Sequence, residues 1–218
     1  MSIGPIEDNA SCWLAELPPC EPAPALSRDV NADVAIIGGG MTGVSTAWHL
    51  AAGAPHRRIV LLEAKSFANG ATGRSGGQVL NGLNGIEPAD ADTARRLREV
   101  TLRGIAIVEE LASRSSLDAG FRRRGCIEVT TSAGSSEQAQ RRVERYNAWG
   151  IALRWLPAAD TGMHGVHGAV LDPEAACMNP AALVRGLRGV LEERGVAVHE
   201  HTRVTRIREG RKVEITTT

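Results

Sequence analysis

The chain has 218 residues, with 25 basic and 25 acidic side chains and a formal charge of zero. An apolar share of 43% against 23% charged is a globular balance, which excludes wholesale disorder and supports a buried core at this length. Neutral charge offers no field for a polyphosphate, so nucleic-acid binding is not expected, and no apolar run approaches the roughly 18 residues a membrane helix needs.

The opening segment, MSIGPIEDNA, has neither a basic start nor an apolar stretch, so no signal peptide is expected and the expected compartment is the cytoplasm. Pro18, Pro19, Pro22 and Pro24 forbid a helix in residues 1–31, which are expected to lie extended over the domain surface. Val34 to Ile37 is a short continuous apolar run, the mark of a parallel strand buried on both faces. Glycines follow, then a helix from Thr42 to Ala52, then a second buried strand from Ile59 to Leu62. Together these make one βαβ unit.

Residues 69–86 carry too many glycines for a packed helix or regular strand and read as a loop. A helix is expected over Ala89–Ser115, with Leu97, Val100, Val108 and Leu111 on its buried face. A strand at Gly125–Thr130, a polar helix at Ser136–Ala148 and a short strand at Ala169–Leu171 follow. Asn179 as N-cap and Pro180 at the first helical position start a helix that ends at Arg194, with Gly195 past its end. Val196–Val198 is a further strand, and Val204–Arg208 with Lys212–Thr216 form a hairpin about Glu209-Gly210.

Gly38, Gly40 and Gly43 satisfy GxGxxG between a buried strand and a helix. The first permits a tight turn, the second a close backbone approach to a pyrophosphate, and the third close helix–strand packing. The helix N-terminus offers N–H groups and a positive dipole end to phosphates. Glu63 ends the second strand twenty residues past Gly43, where a carboxylate can accept hydrogen bonds from a ribose diol and would repel a 2′-phosphate. A second glycine-rich stretch, Gly70 to Gln78, follows the acid directly, and its backbone N–H groups with Arg74 and two hydroxyls suit a phosphate or a flavin edge.

ADVAIIGGGMTGVSTAWHL, VLLEA and GATGRSGGQ together resemble the FAD-dependent oxidoreductases of the D-amino-acid oxidase (DAO) superfamily, in particular its gamma-glutamylputrescine oxidase-like and glycine/D-amino-acid oxidase branch. The lead-in with Trp13 and the segment LDPEAACMNPAALVRGL share that likeness. The resemblance implies an α/β fold: a Rossmann-like FAD/NAD(P)-binding domain with an inserted α+β portion of a substrate domain. Residues 32–86 would be the FAD-binding βαβ and glycine-rich loop, 87–178 the insertion, and 179–218 the return to the FAD-binding domain. It implies FAD as cofactor, with Gly38, Gly40, Met41, Thr42 and Gly43 at the pyrophosphate and Glu63 with Ala64 at the ribose. Gly70, Thr72, Arg74, Ser75, Gly76, Gly77 and Gln78 would pass the pyrophosphate and isoalloxazine, and Val204 would contact adenine. It implies oxidation of a C–N bond in a small-molecule amine or amino acid by hydride transfer to flavin N5, with no catalytic base nominated.

Members of the superfamily continue for about as long again, so this chain reads as truncated or as one that pairs with a separate chain. With only three strands of a sheet ordered 3-2-1-4-5-6, the Val34–Ile37 strand would carry an unpaired apolar edge open to self-association or a partner chain. An NAD-dependent dehydrogenase built on the same turn and a non-catalytic nucleotide-binding fragment stay open as alternatives. Cys12, Cys20, Cys126 and Cys177 show no CxxC and no zinc spacing and are expected as reduced thiols, the last two buried. His164 and His167 read as a surface loop, His199 and His201 as solvent-facing, Arg122–Arg124 as a solvated edge, and Trp48, Trp149 and Trp155 as packing.

Overall fold

The structure, a computed structural model, describes residues 11–82 and 87–218. The first ten residues of the lead-in and the last four of the glycine-rich loop lie outside the described residues. In chain order the elements are α1 (Cys12–Ala15), β1 (Val34–Ile37), α2 (Met41–Gly53), β2 (Ile59–Leu62), a 3-10 turn (Ala71–Arg74), β3 (Gln78–Val79), α3 (Ala91–Arg114), β4 (Cys126–Thr130) and α4 (Ala133–Ala148). They continue with β5 (Arg154–Pro157), α5 (Ala158–Thr161), β6 (Gly168–Asp172), β7 (Ala176–Cys177), α6 (Pro180–Glu193), β8 (Ala197–His199), β9 (Val204–Arg208) and β10 (Glu214–Thr217). The chain divides into two compact units, Met1–Gly76 with Leu111–Ala119 and Asn179–Thr218, and Gly77–Glu110 with Gly120–Met178.

The first unit is built on a parallel sheet in the order β1-β2-β8. Every residue of β2 is buried, as its run Ile59-Val60-Leu61-Leu62 requires of a strand with neighbours on both sides. β1 differs from the expected doubly buried strand: Ala35 and Ile37 are exposed, Ile37 by 49%. It is an edge strand whose exposed residues, Ala35 and Ile37, share one face, while Ile36 is buried and Val34 half-buried on the other. α2 and α6 pack on each other and on the sheet. Leu61, Leu183, Leu187 and Leu191 are fully buried in this core, each contributing about 2 kcal/mol. Asn179 caps α6, accepting from the N–H groups of Ala181 and Ala182 at 3.0 Å, with Pro180 at its first position. The expected hairpin is β9 against β10.

The lead-in departs from expectation at one place. α1 is a single helical turn capped by Ser11; it ends before Pro18 and so escapes the veto of the proline cluster. Residues beyond it run without regular structure, pinned at their far end to the exit of β8: Glu200, 3% exposed, accepts from Ala23 N and Phe67 N at 2.6 Å each and from Arg188 at 3.2 Å. His199, expected in solvent, is half-buried, with its ring nitrogen 2.8 Å from the Pro24 carbonyl. Trp48 is half-buried under the Arg194 guanidinium, its indole N–H buried with no partner among the described residues.

The second unit holds an antiparallel sheet ordered β4-β6-β5 and the short pair β3–β7. α4 covers the larger sheet through Ala139 and Val143 against Val170, with Leu153 and Trp155 beside them. α4 starts three residues before its expected position because Ser132 and Ser135 form a capping box. On α3 Ala94, Ile105 and Leu111 are buried, whereas Val100, expected on the buried face, is 65% exposed. Arg98 grips Asp172 with two bonds of 2.5 and 2.8 Å, both side chains largely buried. The four cysteines are free; Cys177 is exposed and Cys126 only half-buried, because both lie on short strands at the margin of a sheet rather than within one. Among the described residues no helix is long and apolar enough to cross a membrane.

Candidate functional site

The site begins where β1 runs into α2. Gly38 continues the sheet, donating its N–H to the Leu62 carbonyl at 2.8 Å, and turns the chain with φ +105°, a conformation glycine alone takes without strain. Gly43 is fixed by space: a Cβ there would stand 1.9 Å from the Gly38 carbonyl oxygen. Gly39, the unspecified middle of the motif, is also confined, since its Cβ would meet Glu63 and Phe67 at 3.2 Å. Gly40 is the N-cap of α2 and has no side chain to cap it. Met41 N–H is taken by Thr72 Oγ1 at 2.9 Å, while the next first-turn donors, Thr42 and Gly43, have no acceptor within the helix.

Glu63 sits at the exit of β2. Its two carboxylate oxygens accept from Gly39 N at 2.7 Å and Lys65 N at 2.8 Å, which leaves further lone pairs for a ligand hydroxyl. The following backbone is held to the residues after β8 by His201 N to Lys65 O and Thr202 N to Glu63 O, both 2.8 Å.

The stretch expected as a plain loop has structure of its own. Ala71–Arg74 form a 3-10 turn that includes the buried Gly73, and Gln78–Val79 form a short strand. Two links lock this turn to the first glycine turn. One is Thr72 to Met41; the other runs from Gly39 O to Ala68 N at 3.0 Å and from Ala68 O to Gly73 N at 2.9 Å. Ala68 takes a left-handed φ of +64° to make both bonds. A cavity of about 330 Å³ opens beside Glu63 and Ala64, walled by Lys65, Asn69, Gly70, Ala71, Arg74 and Arg203. Three cations against one carboxylate make it basic. Arg74 is steadied by the Asn69 and Gly70 carbonyls.

The structure therefore brings together Gly38, Gly40, Met41, Thr42, Gly43, Glu63, Ala64, Gly70, Thr72, Arg74, Ser75 and Gly76 in the first unit. Gly77 and Gln78 belong to the second unit, where Gly77 O accepts from Met178 N and Gln78 pairs with Cys177. Val204 opens β9 opposite Thr217, and its neighbour Arg203 is the residue on the cavity wall. Sequence reasoning missed Lys65, Arg203, Ala68 and Glu200. Only Glu200 left a signal, an acid directly after an apolar strand; the others act through backbone or position.

A family model described as "FAD dependent oxidoreductase" (DAO) matches residues 33–218. The chain belongs to that family. This DAO-family chain is 30% identical over 210 residues to gamma-glutamylputrescine oxidoreductase of Escherichia coli K12, covering 92% of itself and 49% of that protein. It is similar in fold to the crystal structure of glycine oxidase from Geobacillus kaustophilus, with TM-score 0.72, 22% identity, and coverage of 86% of this chain and 51% of that one. It is likewise similar to L-alpha-glycerophosphate oxidase from Mycoplasma pneumoniae with FAD bound, with TM-score 0.68, 17% identity, and coverage of 87% and 50%. The chain spans about half the length of the curated relatives it matches. The cofactor of the family is FAD, and the residues of the first unit fit its ADP portion: free helix N–H groups, a basic wall and a carboxylate with lone pairs to spare.

Proposed function

We propose that the first unit holds the ADP portion of FAD and that the enzyme oxidises a C–N bond of a small-molecule amine or amino acid. The observation that carries this reading is the pair of glycine turns tied by Thr72 and Ala68 beside Glu63 and a basic cavity. Thr42 and Gly43 N–H groups, at the positive end of α2, receive the diphosphate. Lys65, Arg74 and Arg203 add charge around it. Glu63, already oriented by two backbone donors, accepts from the ribose hydroxyls with little ordering cost. FAD, when bound, supplies the acceptor for a hydride from the carbon next to the substrate nitrogen. The division into two units supports a cofactor-binding part with its return at Asn179 and a substrate-domain part between, although it moves residues 77–86 to the second unit and Leu111–Ala119 to the first. The names of the relatives, a gamma-glutamylputrescine oxidoreductase and a glycine oxidase, support amines and amino acids as the substrate class.

Titrating the 218-residue chain with FAD and following flavin fluorescence tests the reading. It expects saturable binding that FMN, lacking the adenosine half, does not displace. Binding of NAD in place of FAD would favour a nicotinamide dehydrogenase; FAD bound without bleaching by any amine would leave a nucleotide-binding module.

A further inference from the structure

The family match begins at residue 33, yet the segment before it is hydrogen-bonded directly to the glycine-rich turn. Ser11, 6% exposed, donates its hydroxyl to the Gly73 carbonyl and accepts from Leu14 N, so one side chain both caps α1 and holds the turn. Trp13, one residue into that helix, donates its indole N–H to the Ser75 carbonyl at 2.8 Å. The backbone carbonyl of Trp13 accepts from Asn179 Nδ2 at 3.2 Å, and Asn179 is the N-cap of α6. α1 is thus braced on α6, a packed helix of 14 residues, and the side chains of Ser11 and Trp13 take the carbonyls on either side of Arg74.

A trans peptide points its C=O and the following N–H to opposite sides. With the Ser75 carbonyl held toward α1, the N–H of Gly76 is turned away from it. We infer that Trp13 is a positioning residue for the cofactor loop: through the Ser75 carbonyl it fixes the direction of the Gly76 N–H, and with it the affinity for FAD. The inference rests on the reading of this unit as the FAD site. Losing the indole donor removes the bond that holds this carbonyl toward α1.

The test compares Trp13→Phe, which keeps an aromatic ring and loses the donor, with Leu191→Val, which trims the α6 core and leaves the bonds of Ser11 and Trp13 intact. FAD dissociation constants, thermal midpoints without FAD, and amide exchange at Gly76 are measured on the full 218-residue chain. Trp13→Phe should raise the FAD dissociation constant about fivefold, in line with one lost hydrogen bond, and speed exchange at Gly76. Leu191→Val should lower the thermal midpoint and leave the dissociation constant within twofold. Equal weakening in both variants would overturn the inference, because Trp13 would then act through stability alone. So would unchanged affinity in Trp13→Phe while the unaltered chain binds FAD. Absence of FAD binding by the unaltered chain would instead overturn the reading on which the inference rests.

Discussion

The two units are held together by different means. In the first, the decisive contacts are made by backbone groups: Gly38 N to Leu62 O, Ala68 N to Gly39 O, Gly73 N to Ala68 O, and Glu63 between two N–H donors. In the second, side-chain ion pairs recur, Arg98 with Asp172, Arg142 with Glu128, and Arg145 with Glu87. Backbone locks specify position to fractions of an ångström and tolerate no extra atom. Ion pairs hold long side chains, are screened by salt where exposed, and tolerate change nearby. A cofactor gripped by N–H groups calls for the first kind of construction.

The sharpest break of that comparison is at two glycines. Gly43→Ala places a methyl against the Gly38 carbonyl and should cost about 3 kcal/mol in urea unfolding, with loss of FAD binding. Gly104→Ala, in the open on α3, should be neutral or stabilise by about 0.5 kcal/mol. Equal effects would end the distinction. Next in size, Asp172→Asn leaves the largely buried Arg98 half-paired and should cost about 2 kcal/mol by denaturant unfolding, while FAD affinity stays unchanged. A parallel loss of FAD binding would show that the site depends on that pair.

A smaller effect concerns thiol reactivity. Burial, with Asp172 and Glu128 nearby, raises the Cys126 thiol above its ordinary range, whereas Cys12, Cys20 and Cys177 are exposed. Alkylation near pH 8, followed by peptide mass, should label Cys126 last, after Cys12, Cys20 and Cys177; labelling of Cys126 ahead of these three would contradict the shift. The smallest effect is at the entry to the parallel sheet. Hydrogen bonds from the Arg58 side chain and N–H hold the Asp33 carboxyl down to about 2 from 3.8. Its folded-state pKa is depressed, so its contribution is complete above 3.8 and is lost as pH falls through about 2. A stability difference between Asp33→Asn and the unaltered chain at pH 5 should therefore fade toward pH 2; a difference that persists there would remove Arg58 as its cause.

The same contrast sets what the sequence reveals. β1, α2 and β2 were legible because parallel strands read as apolar runs and the glycines between them answer to φ and space. α6 was legible through Asn179-Pro180. The second unit is less legible. β5 has only four residues, with Pro157 at its end, and β7 has two, so neither shows a period. At the site, Glu63 follows from its spacing past the glycine turn, and Thr72 from the family resemblance. Ala68 could not be: nothing in an alanine announces a left-handed φ, which here follows from Phe67 being buried on one side and Gly39 and Gly73 bonded on the other. Arg203 enters the cavity wall by tertiary pairing of the residues after β8 with those after β2.

The most direct test of the central claim is a crystal structure of the chain with FAD. The account predicts the diphosphate against the N–H groups of Thr42 and Gly43, with the adenosine ribose on the Glu63 carboxylate. A diphosphate seated away from the α2 N-terminus, or a ribose with no contact to Glu63, would contradict it.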